Sequence, residues 1–183
     1  LIRRLKYRHS DEQKKKDSFE EELKKILPLE TKVKLSNLTG LDESSASLEA
    51  EYEIAVPGMA AQAGDKLLLP AYPLVNQDRY PFKSAQRKHP VYFDFPHREF
   101  DDITITLPES MTAEARPEAR KKETGFFSFW LQAVAEAPQK LHIQRDLIIK
   151  KSLLPVEDYP QVKNFFDFIR SSDEEQVLIG GMK

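Results

Sequence analysis

From Leu48 to Val56 the chain alternates without a break, with Leu48, Ala50, Tyr52, Ile54 and Val56 on one side of an extended backbone and Glu49, Glu51 and Glu53 on the other. A period of two is what a strand with one dry and one wet face requires. The same period returns at Ile103, Ile105 and Leu107, with Thr104 and Thr106 facing the other way, and again at Phe127, Phe129 and Leu131. It returns a last time at Leu141, Ile143, Leu147 and Ile149. Segments 126–135 and 141–152 flank an Ala137-Pro138 turn and are predicted to be long central strands. Shorter strands are predicted over 31–38, 66–69 and 177–179, and a polar pair over 111–123 that ends at a hairpin at Thr124-Gly125. Pro57-Gly58 marks a turn, and Pro70 to Pro81 reads as a crossing loop.

Helical spacing occurs near both ends. Phe19, Leu23, Ile26 and Leu27 share a face within 10–27, where Ser10 with Gln13 or Ser18 with Glu21 fits a capping box and Pro28 stops the helix. Val162, Phe165, Phe166 and Ile169 form an i, i+3, i+4, i+7 stripe behind Asp158 as cap, closed by Ser171-Ser172. Strands that do not alternate with helices argue against a parallel α/β sheet. The expected fold is mainly β (α+β): an antiparallel β-sandwich with one helix near the N-terminus and one near the C-terminus. The 183 residues fit a single domain, 1–183, with a subdivision at 1–80 and 81–183 as the alternative.

Charge narrows the partners. With 28 Lys and Arg against 30 Asp and Glu, there is no field to hold nucleic acid. No run approaches the roughly 18 apolar residues of a membrane span, so none is expected. The first residue is Leu1 rather than Met, in a strand-like basic stretch over 1–9, which implies a C-terminal fragment of a longer protein with any targeting signal upstream. The absence of cysteine removes disulfides, thiolate metal sites and cysteine nucleophiles.

Candidate chemistry is sparse. His9, His89, His97 and His142 have no i, i+4 or H-x-H spacing, and His142, between Leu141 and Ile143, reads as a histidine on the wet side of a strand. Asp101 and Asp102 are adjacent on a strand and so point to opposite faces; they and Asp173-Glu174-Glu175 read as acids solvating turns. Nucleophile-elbow and phosphate-cradle motifs are absent from the sequence. Catalytic, cofactor-binding and metal residues are accordingly none, and no cofactor is expected. Of the many aromatics, Tyr80 and Trp130 are singled out as ligand-facing positions for a carbohydrate- or cell-wall-binding module.

Three stretches carry a family resemblance: GDKLLLP at Gly64 to Pro70, the long segment from Pro81 to Glu109, and Leu147 to Ile169. The order R-x-x-P-V-x-F at 87–93, x-I-T-I-x-L-P at 102–108, then S-x-x-P-x-x-x-Y-P at 152–160 before an aromatic helix resembles the C-terminal region of bacterial multidomain transglutaminase-like proteins. In that family an N-terminal β-sandwich precedes a papain-like core, and a sandwich-type domain of unknown function closes the chain. The resemblance implies a non-catalytic accessory domain that packs on or positions the transglutaminase-like core of the same polypeptide. It further implies an exported, periplasmic or envelope-associated protein, with a protein or glycan of the envelope as a further partner. The family's catalytic cysteine has no counterpart in these residues.

Overall fold

Helix α1 runs over Glu12–Lys24, and its first turn is held by Asp11, whose side chain accepts a 2.8 Å hydrogen bond from the Lys14 backbone N–H. The cap is therefore Asp11 and not Ser10 or Ser18, a correction to the capping-box expectation. The computed structural model that shows this describes residue 7 and residues 10–27, 30–43, 45–74 and 80–181. Of the opening over 1–9, expected to be strand-like, Tyr7 alone is described and it is helical; His9, the stop at Pro28 and part of the Pro70 to Pro81 loop lie outside the described residues.

The chain divides into two compact units, Leu1–Met59 and Ala60–Lys183. In the first, α1 packs on strand β1 (Lys32–Thr39), which pairs antiparallel with β2 (Glu49–Ala55). The alternation read in the sequence gives β2 one half-buried and one exposed face. Tyr7, Phe19, Leu35 and Leu41 form the buried centre of this unit, with Leu38, Leu48, Ala50 and Tyr52 packed around it. Gly40 adopts a left-handed φ of 72°, and a Cβ there would lie 1.8 Å from the Ser47 carbonyl oxygen, so the β1–β2 connection needs glycine at that point.

The second unit is built from two four-stranded antiparallel sheets. One has β3 (Ala61–Ala63), β4 (Lys66–Pro70), β12 (Gln176–Gly181) and β7 (Met111–Ala115) in that order. The other has β6 (His97–Thr106), β10 (Lys140–Ile149), β9 (Phe127–Ala137) and β8 (Arg120–Glu123). A two-residue ladder joins β5 (Val91–Tyr92) to β11 (Leu153–Leu154). The long strands β9 and β10 are central, as predicted, and their inward residues Phe127, Phe129, Leu141 and Ile143 are fully buried. Helix α2 (Tyr159–Asp173) covers this inner face; Phe165 stacks on Phe127 with ring centroids 4.8 Å apart, and Val162 and Ile169 are buried beside it. Asp158 occupies the N-cap position without a side-chain cap bond, and the helix runs through Ser171-Ser172 instead of ending there.

The architecture is thus a mainly-β α+β fold with antiparallel sheets and a helix toward each end. The last strand is longer than the predicted 177–179 and includes Gly180 and Gly181, which pair with Thr112 and Met111 of β7.

Candidate functional site

The predicted separation of Asp101 from Asp102 is observed and organises the two faces of the β6–β10–β9–β8 sheet. Asp101 turns inward and accepts a 2.9 Å hydrogen bond from the Tyr72 hydroxyl. Arg145, inward on β10, lies with its guanidinium 4.5 Å from the Tyr72 ring centroid and 5.3 Å from that of Phe129. Its fork closes on Asp173 at the end of α2, with Nε–Oδ1 at 3.0 Å and Nη2–Oδ2 at 3.2 Å. Asp173 is 1% exposed and Arg145 is 7% exposed, so neither Asp173 nor Asp101 solvates a turn, contrary to the sequence expectation. Two carboxylates share one guanidinium there. Burial raises the Asp101 carboxyl against the pull of the Tyr72 hydrogen bond and Arg145, and pushes the Asp173 carboxyl up to about 6. Burial works against the Arg145 charge, yet the Asp173 carboxylate holds its pKa above the ordinary value. This cluster ties β6, β10, α2 and the segment after β4 together.

Asp102 turns outward, where His142 Nε2 sits 2.6 Å from its Oδ1 and Gln144 donates to Oδ2 at 3.1 Å. The other ring nitrogen of His142 lies 2.9 Å from Glu136. His142 is half-buried on the wet side of its strand, as its position between Leu141 and Ile143 predicts. Burial raises the Asp102 carboxyl, but the hydrogen bonds from Gln144 and His142 outweigh it and hold the group below its usual range. His97 bonds the Phe95 carbonyl with Nδ1 at 2.8 Å, and His89 is exposed outside any strand. Among the described residues no group of three or more His, Asp and Glu side chains is arranged to hold a metal ion. Nor is any helix among them long and apolar enough to cross a membrane.

The two aromatic candidates fall on opposite sides of this sheet. Tyr80 belongs to the helix side: its hydroxyl donates to Asp167 at 2.6 Å, and the Arg170 guanidinium lies 4.6 Å from its ring centroid. Burial and the Asp167 hydrogen bond raise the Tyr80 hydroxyl well above its ordinary pKa. Trp130 is on the outer face of β9, half-buried, flanked in register by Asp146 of β10 and Lys121 of β8. One strand beyond Asp146 stands Phe100 of β6, 48% exposed. Sequence reading singles out Trp130 and leaves Phe100 among the many aromatics, because β6 alternation gives Phe100 a wet-side place without saying which residue lies opposite it.

Shallow, open depressions occur in the first unit, one lined by Lys32, Lys34, Glu53 and Ile54 and another by Glu12, Lys15, Gly40 and Asp42. A second apolar feature of the larger unit is the cross-strand pair Tyr92 and Leu153, 68% and 61% exposed.

No curated protein matches the chain. Among solved structures it is similar to that of a "putative protease" from Parabacteroides distasonis, with a TM-score of 0.51 and 17% identity over 64% of this chain. The match spans 24% of the Parabacteroides protein, so this chain corresponds to about a quarter of that protein's length. At that identity the likeness is one of fold. Residues 65–179, more than half of the chain and nearly all of the second unit, match the family described as "Domain of Unknown Function with solved-structure structure (DUF3858)", and the chain belongs to that family.

Proposed function

We propose that this chain is a non-catalytic accessory domain of a larger, exported or envelope-associated bacterial protein, and that it packs on a papain-like, transglutaminase-type core encoded in the same polypeptide. One observation carries the reading: the similar fold in Parabacteroides occupies a quarter of a protein described as a "putative protease", which leaves three quarters of that protein for other domains. The ordered motifs over 64–70, 81–109 and 147–169, which resemble the closing region of transglutaminase-like proteins, support the same placement.

A surface suited to such packing is the Tyr92–Leu153 pair. A tyrosine and a leucine side by side on a two-residue ladder, both more than half exposed, place apolar area in water with no gain to the isolated chain. Burial against a neighbour at roughly 25 cal/mol per Å² would recover that area. The test mixes this chain with the separately expressed core of the same gene. A complex, or a changed core activity, weakened by Tyr92→Asp or Leu153→Asp, is the expected result. No association and no effect on activity would overturn the reading.

A further inference from the structure

The outer face of the β6–β10–β9–β8 sheet carries a row of side chains that the accessory role does not use. In register across the strands stand Phe100, Asp146, Trp130 and Lys121. Phe100 and Trp130 are separated by one intervening strand, so their backbones lie about 9–10 Å apart, twice the inter-strand spacing. Trp130 is the chain's single tryptophan. Among the described residues no acceptor holds its indole N–H, and that nitrogen is not buried. Phe100 keeps 48% of its surface in water although the Arg98 guanidinium lies 5.4 Å from its ring centroid.

Apart from Lys121, an exposed ammonium at the β8 end of the row without an ion-pair partner among the described residues, charge on this face is matched within the face. Arg98 forks onto Asp146 at 2.8 and 3.0 Å, and His142 lies between Asp102 and Glu136. A charged partner would have to break these pairs, whereas a neutral, hydroxyl-rich one would not. The next outward row, Asp102, Gln144 and Gln132, offers carboxylate and amide groups beside the two rings.

We infer that this face is a binding platform for an extended, neutral β-1,4-linked glycan that stacks alternate sugars on Phe100 and Trp130. In such a chain the hydroxyls are equatorial, each ring presents a flat C–H face, and successive rings are turned over, so every second sugar offers the same face to a sheet. The two-sugar repeat has the length that separates the two aromatic positions. Aromatic faces carry negative π-density that attracts the C–H face, while the rim hydroxyls meet the amides of Gln132 and Gln144 and the Trp130 N–H supplies a donor. An α-1,4-linked chain curves away and cannot span both rings. The inference goes beyond the accessory role and does not rest on it, since it concerns a different face from Tyr92 and Leu153.

The single tryptophan makes the test direct, because intrinsic tryptophan fluorescence reports on this position alone. The chain is titrated with cellohexaose, chitohexaose and, as the curved control, maltohexaose, and affinities of variants are measured by calorimetry. A saturable fluorescence change with a β-1,4-linked hexasaccharide and none with maltohexaose is expected. Response to chitohexaose alone assigns an acetamido-bearing chain, and response to both assigns the shared ring geometry. Trp130→Ala and Phe100→Ala should each weaken binding about tenfold or more, while Trp130→Phe, which keeps a stacking ring and the fold, stays within a few-fold. Tyr80→Phe, on the helix side, should change nothing. Absence of a saturable response, an equal response to maltohexaose, or affinity untouched by Trp130→Ala and Phe100→Ala would overturn the inference.

Discussion

Arg145 and Asp173 stand 28 positions apart in sequence and meet as a forked, buried ion pair, with the Tyr72 and Phe129 rings against the guanidinium. Removing one partner leaves the other charged in a place water does not reach, which costs about 3–5 kcal/mol in comparable pairs. Asp173→Ala is expected at the lower end of that range, because Asp101 remains 3.7 Å from Arg145. Arg145→Met is expected to cost more, since it leaves two carboxyls facing each other without a cation. The double variant Arg145→Met/Asp173→Ala should recover part of the loss. Urea unfolding of the four chains gives the coupling energy, and additive single effects would show that the pair acts independently.

The same cluster sets an unusual pH dependence. The Asp173 carboxyl is pushed up to about 6 by burial, with Arg145 compensating only in part, and Asp101 is raised for the same first reason. A carboxyl whose folded-state value exceeds the ordinary value of about 3.9 binds its proton more tightly when folded. Its contribution to stability therefore grows as the pH falls through about 6 and is complete below the ordinary value. Between pH 7 and 5 this amounts to about 1 kcal/mol. Asp102, Glu136 and Asp167, held low by their hydrogen bonds, act in the opposite sense and at lower pH. The difference between the native chain and Asp173→Asn isolates the buried group. The native chain should gain stability relative to that variant on acidification from pH 7 to 5, and a relative loss would contradict the assignment.

Glycines with similar backbone angles are expected to respond unequally to substitution. Gly40 and Gly58 have φ of 72° and 69°, so alanine at either is strained by about 1–2 kcal/mol. A Cβ at Gly58 meets nothing within 4 Å, whereas at Gly40 it would collide with the Ser47 backbone carbonyl, which has no rotamer with which to move aside. Gly40→Ala should therefore lose more than about 2 kcal/mol and expose the β1–β2 amides to hydrogen exchange. Gly58→Ala should stay within the strain alone, and equal losses would place the effect in backbone angle rather than in the clash.

The long strands were legible because each has one dry face: β2 and β10 show a period of two from end to end, and β9 shows it over Phe127 to Val134. β3 was not, since all three of its residues are exposed and nothing alternates. Gly180 and Gly181 read as a stop because glycine weakens a strand, yet β7 pairs with both and the Glu114 side chain lies over Gly180. Arg145 stood as a polar gap in an apolar series, and its partner lies on another element, out of reach of any local pattern. The outer-face row was half legible: alternation puts Trp130 and Phe100 on wet faces, but only register makes them neighbours across Asp146.

Three residues near the start of α1 separate a local sequence motif from the bond that forms. Ser10-x-x-Gln13 and Ser18-x-x-Glu21 both match a capping pattern, and Ser18 lies inside the helix, where all backbone donors around it already face carbonyls one turn back. Asp11 instead has extended backbone angles, φ −64° and ψ 161°, and its carboxylate accepts from the Lys14 N–H at the positive end of the helix dipole. Asp11→Ala should cost about 1 kcal/mol, and Asp11→Asn, which keeps an acceptor oxygen without the charge, only part of it. Ser18→Ala should be neutral or slightly stabilising, because alanine is the better residue in a helix interior. Hydrogen-exchange protection of the first turn of α1 measures each change directly. A larger loss in Ser18→Ala than in Asp11→Ala would move the cap about two turns along the chain and shorten α1 accordingly.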